Sequence, residues 1–477
     1  MKLLQITLFF LLVQTLGLGQ IKRDPVMVGL GGAYTTLADG VYAVGVNPAN
    51  LAYQHDKPFM WQMGTLNFGI GNNFFSLENI MDLSGKNLEA ESQKGKYEIY
   101  DQVRDGWRFS QDIHLALPFL NYASGNMAIT NDLVAINDVV APFGLFKLIL
   151  EGNPIGESLD LEYSQENMVL LEHAFSFAVP TDKFSWGVSL KFLQGIVYMG
   201  TDPDSSYTFF QTDTTAFNLK ARYFMRQGVG GYGTAVDFGL SSKEINGWRV
   251  GAALINAVGS IEWNQPSALT DLFGISDSTG FFKWGREDFR GPKADGEIVD
   301  FKENEVPRGW SMVHEITANS VTLDKLSNSK WDELFQERKY IVKDTLENGN
   351  PRKFKIRYPG LFRLGVSKRF DQDLTIAGDL VAGFTNRLGV HQKWKLSTGL
   401  QFNRFKAFPL RLGYMYGGKY LKELGFGAGF HAGPIIYDFA FSFRNGVWIH
   451  NMKGISISFG VALTSFKSRK DKTPPSQ

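Results

Sequence analysis

The segment GISISFGVALTSF, residues 454–466, puts Ile455, Ile457, Phe459, Val461 and Leu463 on one side of an extended chain and Gly454, Ser456, Ser458, Gly460, Ala462 and Thr464 on the other. Side chains of a strand alternate between its two faces, so one face here is bulky and apolar and the other small or polar. The pattern recurs through the C-terminal third. Tyr437, Phe439, Phe441 and Phe443 alternate with Asp438, Ala440 and Ser442; Leu410, Leu412, Tyr414 and Tyr416 alternate with Arg411 and Gly413; Trp394, Leu396, Leu400 and Phe402 alternate with Lys395, Ser397 and Gln401. A soluble sandwich and a membrane barrel both show alternation. The sandwich, however, turns its large residues to a core, whereas a membrane barrel turns them to lipid in strands of about 9–11 residues around a small or polar interior. Glycine, alanine, serine and single charges on the small face favour the barrel.

Short links at 180–184, 242–247, 370–373, 404–408 and 431–434 read as periplasmic turns, because the outer loops of such barrels are the long ones. Fifteen strand-like runs are visible. All five turns fall on one side only if the run 214–225 is an excursion in an outer loop. The remaining 14 spans lie at roughly 58–70, 109–119, 125–135, 166–180, 184–199, 230–242, 247–261, 359–370, 373–384, 393–403, 408–417, 423–431, 434–444 and 453–465, an even count with periplasmic ends. The expected fold is all-β, a 14-stranded antiparallel transmembrane β-barrel with a short N-terminal helical hatch or plug and long extracellular loops. Residues 1–19 are expected to be a signal peptide, 20–56 the hatch and 57–466 the barrel, with an extracellular insertion at 262–358 and a disordered periplasmic tail at 467–477. Within the insertion, Trp331, Leu334, Phe335 and Arg338 share one face of an expected helix over 329–338.

The leader has Lys2 ahead of a mostly apolar run to Leu16 and small residues at Gly17 and Gly19, the layout of a cleavable secretory signal. No later run reaches the ~18 apolar residues of a membrane helix, and no cysteine occurs in 477 residues, which excludes disulfides, thiolate metal sites and cysteine nucleophiles. With 49 basic against 48 acidic residues, nothing in the charge favours nucleic acid. The seven histidines are scattered, with no HExxH, no GxSxG and no P-loop. The expectation is a non-enzyme without cofactor or metal. Eight charged residues, Lys191, Asp237, Arg249, Arg363, Arg369, Asp379, Arg411 and Asp438, fall on the inward register. Buried charges must pair, so these are expected either to brace the barrel across its lumen or to line a polar path.

The glycine-rich stretch GLGGAYTTLADGVYAVGVNPANLA, 29–52, is superficially a phosphate loop. A dinucleotide fingerprint needs a preceding strand and a third glycine, but Tyr34 occupies that third position. A capping reading fits better: Asp39 caps a turn through 41–44, and Asn47 followed by Pro48 starts another through Leu51. The small residues Gly29, Gly31, Gly32, Ala33 and Ala49 suit close packing inside a barrel or at its mouth.

The same stretch resembles the N-terminal signature of the FadL-like outer-membrane superfamily, the long-chain fatty-acid and hydrocarbon transporters, whose GxGGAxxAxAD and NPAxLA pattern forms the hatch. The hatch residues carried over are Gly29, Gly31, Gly32, Ala33, Asp39, Asn47, Pro48 and Ala49. GYGTAVDFGL, WRVGAALINAVGSIEWN, YPGLFRLGVSKRF, FPLRLGYMYGG and LGFGAGFHAGPIIYDFAFSF resemble strands of the PorV-like branch, which receives cargo in type IX secretion. LNFGIGNNFFSLENIMDLSGK and LKFLQG resemble a relative with no assigned function. The resemblance implies an outer-membrane channel for a hydrophobic ligand or, alternatively, an interaction barrel holding a secretion or surface protein. Its length makes 262–358 a departure from a simple transporter loop.

Overall fold

The computed structural model describes residues 22–54, 58–84, 94–263, 290–292, 298–300, 310–342, 354–370, 373–405, 407–418 and 422–464. The expected signal peptide, the tail 467–477 and most of the insertion between 264 and 353 lie outside the described residues.

Fourteen strands close into one antiparallel barrel. They are β1 (Phe59–Asn72), β2 (Trp107–Ala116, resumed at Asn121–Ser124), β3 (Met127–Ala141), β4 (Ser164–Pro180), β5 (Phe184–Thr201), β6 (Ala216–Ser242) and β7 (Trp248–Ile255, resumed at Ser260–Trp263). The second half comprises β8 (Leu361–Phe370), β9 (Leu374–Gly383), β10 (Lys395–Phe402), β11 (Leu410–Gly417), β12 (Lys422–Ala432), β13 (Ile435–Arg444) and β14 (Gly454–Leu463). Each pairs with its neighbour in sequence. The ring closes between β1 and β14 from Trp61↔Leu463 to Gly71↔Gly454, with one irregularity at 62–64. Closure leaves no unpaired edge for lipid, which cannot hydrogen-bond a bare strand.

The alternation read from the sequence sorts most residues of these strands as expected, although Phe443, on the bulky register of β13, is buried. On β14, Ile457 and Phe459 are exposed while Ser456, Ser458 and Ala462 are buried; on β13, Tyr437 and Phe439 are exposed while Asp438, Ala440 and Ser442 are buried. Exposed aromatics gather at both rims of this apolar band, with Trp186, Trp248 and Phe370 at the short-turn end and Trp394, Tyr416 and Trp448 at the other. Such girdles mark the two interfaces of a bilayer.

Two expectations need correction. The run 214–225 does not span, but it is no separate excursion either: it is the outer half of β6, whose 27 residues extend about 90 Å at ~3.4 Å per residue, far more than a ~30 Å hydrocarbon layer requires. Above the barrel this half pairs with Tyr207–Thr212 on one side and Trp310–Thr322 on the other. The expected helix over 329–338 reduces to Trp331–Leu334, because Gln336–Val342 is a strand paired with 311–317. Phe335 and Arg338 therefore share no helical face with Trp331; strand pairing overrides the helical spacing.

Candidate functional site

The N-terminal segment lies inside the barrel. Asp24 starts the short helix α1 (Pro25–Gly29), its Oδ1 accepting from the amides of Val26 (2.8 Å) and Met27 (3.0 Å), with Pro25 at the first helical position. Leu30 ends the helix, and Gly31 and Gly32, at φ +59° and +91°, reverse the chain in a conformation side chains resist. A one-turn helix at Gly40–Ala43 follows. Asp39 stands at its N-cap position, but its side chain makes no capping hydrogen bond, a correction to the expected cap. Asn47 does cap Pro48–Tyr53: its Oδ1 accepts from the amide of Ala49 at 3.2 Å. Its Nδ2 donates to the carbonyls of Thr35 and of Leu240 on β6, tying hatch to wall.

Wall glycines make this docking possible. A Cβ on Gly413 would stand 1.9 Å from the carbonyl carbon of Leu30, one on Gly425 2.1 Å from the Val28 oxygen, and one on Gly187 2.5 Å from the Ala49 nitrogen. The inner face is small because the hatch backbone lies directly on it. Hatch residues Met27, Leu30, Tyr34, Val46 and Leu51 form one buried cluster with wall residues Met60, Ala123, Ala174 and Ala462.

Charges fasten the segment. Arg363 and Asp379, both predicted inward, form a buried pair at 3.0 Å. Asp379 Oδ2 also accepts from the amides of Tyr34 (2.9 Å) and Thr35 (2.8 Å) and from the Thr35 hydroxyl, while Arg363 donates to the Gly32 carbonyl. Lys191 pairs with Asp237 at 2.9 Å and lies 3.4 Å from Glu172, which Lys22 reaches at 2.8 Å; Lys22 also meets Asp132 at 2.5 Å. Arg23 grips Glu423 through two hydrogen bonds, of 2.8 and 2.9 Å. Arg411 pairs with Asp438 at 2.6 Å, and Arg444 pairs with Asp112. Burial pushes the Asp24 carboxyl up to about 7, against the two amides it accepts from.

Of the eight predicted charges, Lys191, Asp237, Arg363, Asp379, Arg411 and Asp438 are buried in the lumen. Arg249 is half-buried near the short-turn end, donating to the Thr36 carbonyl and lying over the Tyr53 ring at 4.7 Å. Arg369 is not a lumen charge: it lies on the inward register but at the rim, its side chain 49% exposed and 3.4 Å from Glu244. Sequence reasoning missed Lys22, Arg23, Asp112, Asp132, Glu172, Glu423 and Arg444. The signal was present for the strand residues among them, since Glu423 and Arg444 continue the inward register of Gly425 and Ser442. Between hatch and wall, Lys22, Asp24, Tyr42, His114 and Asp132 border a cavity of about 20 Å³, room for about one water.

Toward the long-loop end the lumen changes character. Val134, Met168, Leu193, Ile255, Ile261, Trp263, Tyr358 and Val381 form a second buried apolar cluster. Tyr358 joins it to the charged layer, donating to Glu172 at 2.9 Å. Trp263 is fully buried beside Tyr198, ring centres 5.6 Å apart, and its indole N–H meets no acceptor among the described residues. The loop 384–394 folds over this cluster and inserts Leu388 and Val390 into it. Arg387 in that loop holds Glu166 of β4 at 2.5 Å, and Tyr198 donates to the same carboxylate at 3.1 Å. Among the described residues no group of metal-ligating side chains gathers.

A family model described as a family of unknown function (DUF5723) matches residues 52–437. No curated protein matches. Similar solved structures include the Ralstonia pickettii toluene transporter TbuX, at TM-score 0.47 and 12% identity over 93% of this chain and 98% of that one. The CymD monoaromatic hydrocarbon channel has TM-score 0.44 and 13% identity over 94% and 100%. A Pseudomonas aeruginosa FadL homologue has TM-score 0.43 and 12% identity over 94% and 99%.

Proposed function

We propose that this chain, which belongs to that family of unknown function, is an outer-membrane channel that takes up hydrophobic small molecules from its long-loop side. The observation that supports this reading is the apolar cluster in the lumen beneath the loop 384–394. A water-filled porin lines its lumen with polar groups, whereas here an apolar molecule would exchange one apolar surrounding for another by displacing Trp263, Leu388 and Val390. The Trp263 indole N–H offers one hydrogen bond to orient a ligand that carries an acceptor. In this reading the loop serves as upper lid and the hatch as lower plug. The signal sequence and a short-turn end facing the periplasm belong to the same reading.

Uptake of an apolar aromatic or acyl probe into proteoliposomes tests it. Trp263→Ala is expected to admit bulkier probes, and Trp263→Arg, which puts an unpaired charge in the cluster, is expected to abolish uptake while the barrel stays folded. Uptake indifferent to both substitutions would overturn the reading. The alternative of an interaction barrel for a secreted or surface protein draws on the β6 sheet that rises above the membrane with Trp310–Thr322. That reading calls instead for a protein that co-purifies and is lost when 262–358 is trimmed.

A further inference from the structure

The helix α2 (Leu77–Leu83), which follows β1 at the long-loop end, turns its apolar side away from the protein. Residues 77, 80 and 81 share one side of a helix, and Leu77, Ile80 and Met81 are 46%, 54% and 64% exposed. A surface helix ordinarily buries that stripe. What holds α2 in place is polar instead: Ser76 caps it, Asn79 donates to the Phe74 carbonyl and to Gln102, and the Glu78 amide donates to the His450 carbonyl at 2.9 Å. The core of the neighbouring loops, built from Phe74, Ile99, Val103, Trp107, Phe143 and Phe146, is formed without Leu77, Ile80 or Met81.

The bond to His450 sets α2 beside the 445–453 corner, where Trp448 and Ile449 are also exposed. This patch continues the lipid-facing belt. Along the outside of β13 the rings of Phe439, Phe441, Phe443 and Trp448 follow one another at centre distances of 6.5, 5.6 and 6.5 Å; Phe439 and Trp448 are exposed and Phe441 half-buried, while Phe443 is buried between them. Tryptophan at the rim of that belt is typical of a membrane interface. The residues 85–93 that follow α2 contain one large apolar side chain, Leu88. Glu78 and Asp82 lie on the adjacent side of α2, both exposed.

We propose that α2 and the Trp448–Ile449 corner form a lipid-binding foot: the helix lies in the bilayer interface at the long-loop end, with Leu77, Ile80, Met81 and Ile449 among acyl chains and Glu78 and Asp82 toward water. This is the geometry of an interfacial amphipathic helix. It rests on the membrane placement of the barrel and not on the channel reading.

The chain has no cysteine, so single-cysteine variants of the full protein can each carry one nitroxide. In phosphatidylcholine vesicles, labels at Ile80→Cys, Met81→Cys and Ile449→Cys are expected to collide several-fold more with oxygen than with a water-soluble nickel chelate. Labels at Glu78→Cys and Asp82→Cys should show the reverse. With Leu77→Asp and Ile80→Asp added, the label at Ile449 should shift toward the nickel chelate while heat-modifiable gel mobility confirms a folded barrel. Nickel access at 80 and 81 equal to that at 82 would overturn the foot. So would labels shielded from both reagents, which would mean that protein covers the patch, either a second copy or residues 85–93. A belt label at Phe459→Cys that is open to nickel would instead overturn the membrane placement itself.

Discussion

Replacing Asp379 with alanine is expected to release the centre of the hatch. Its Oδ2 is the common acceptor for Arg363, the amides of Tyr34 and Thr35, and the Thr35 hydroxyl, all fully buried. Deletion leaves a buried guanidinium without its carboxylate, a loss of about 3–5 kcal/mol when one partner of a buried pair is removed. It also strands two amides, at ~1–3 kcal/mol each where no water reaches them. These contributions overlap, so the lower figure, ~3 kcal/mol, is the safer expectation, and it corresponds to roughly a hundredfold rise in the local opening equilibrium. Amide hydrogen exchange of the barrel in nanodiscs reads this directly, because opening of a local unit sets the protection of its amides. Residues 31–37 should lose about two decades of protection while the strand amides of β8 and β9 keep theirs. Asp379→Asn preserves an acceptor and removes the charge, and should cost less. Protection of Tyr34 and Thr35 unchanged within threefold in Asp379→Ala would refute the claim that this carboxylate holds the hatch; loss of protection throughout the barrel would show that it holds the wall instead.

Gly413→Ala should unseat α1, since its Cβ would meet the Leu30 carbonyl carbon at 1.9 Å; overpacking of this kind costs about 1–3 kcal/mol, readable as faster proteolysis within 22–54. Arg387→Ala removes a pair that is half-exposed on the arginine side, worth about 1 kcal/mol at most, and should raise probe uptake up to roughly fivefold with no change in barrel melting. Asp24 is held at about 7 by burial, so the folded state binds a proton that the unfolded chain does not. Hatch stability should therefore rise as pH falls from 8 through 7 toward the ordinary carboxylate range, and Asp24→Asn, which still caps α1, should flatten that dependence in exchange measurements.

Much of the architecture was legible in the chain because a membrane barrel imposes a period-two code that needs no knowledge of partners. Each strand must face lipid with one set of residues and the lumen with the other, and short turns must share one end, so alternation and parity together specified fourteen spans. Asn47-Pro48 was readable as a cap for a similar reason: a helix start is a local hydrogen-bonding problem. Asp39 misled because a residue at the cap position need not turn its side chain to the first amides. The run 214–225 could not be assigned from its own residues, since its partner Trp310–Thr322 lies about a hundred residues away.

Tertiary structure alone decided what the inward residues do. The alternation marked Arg363, Asp379 and Arg411 as inward but could not say which met each other and which met the hatch, because such pairing depends on stagger between strands and on where a loop of 33 described residues, 22–54, comes to rest. It likewise left open whether small inner residues line a wet pore or a packed one. Gly413 and Gly425 answer that by contact with Leu30 and Val28: their lack of a side chain is the space the hatch backbone occupies, and space shared by distant segments is not written in either segment alone.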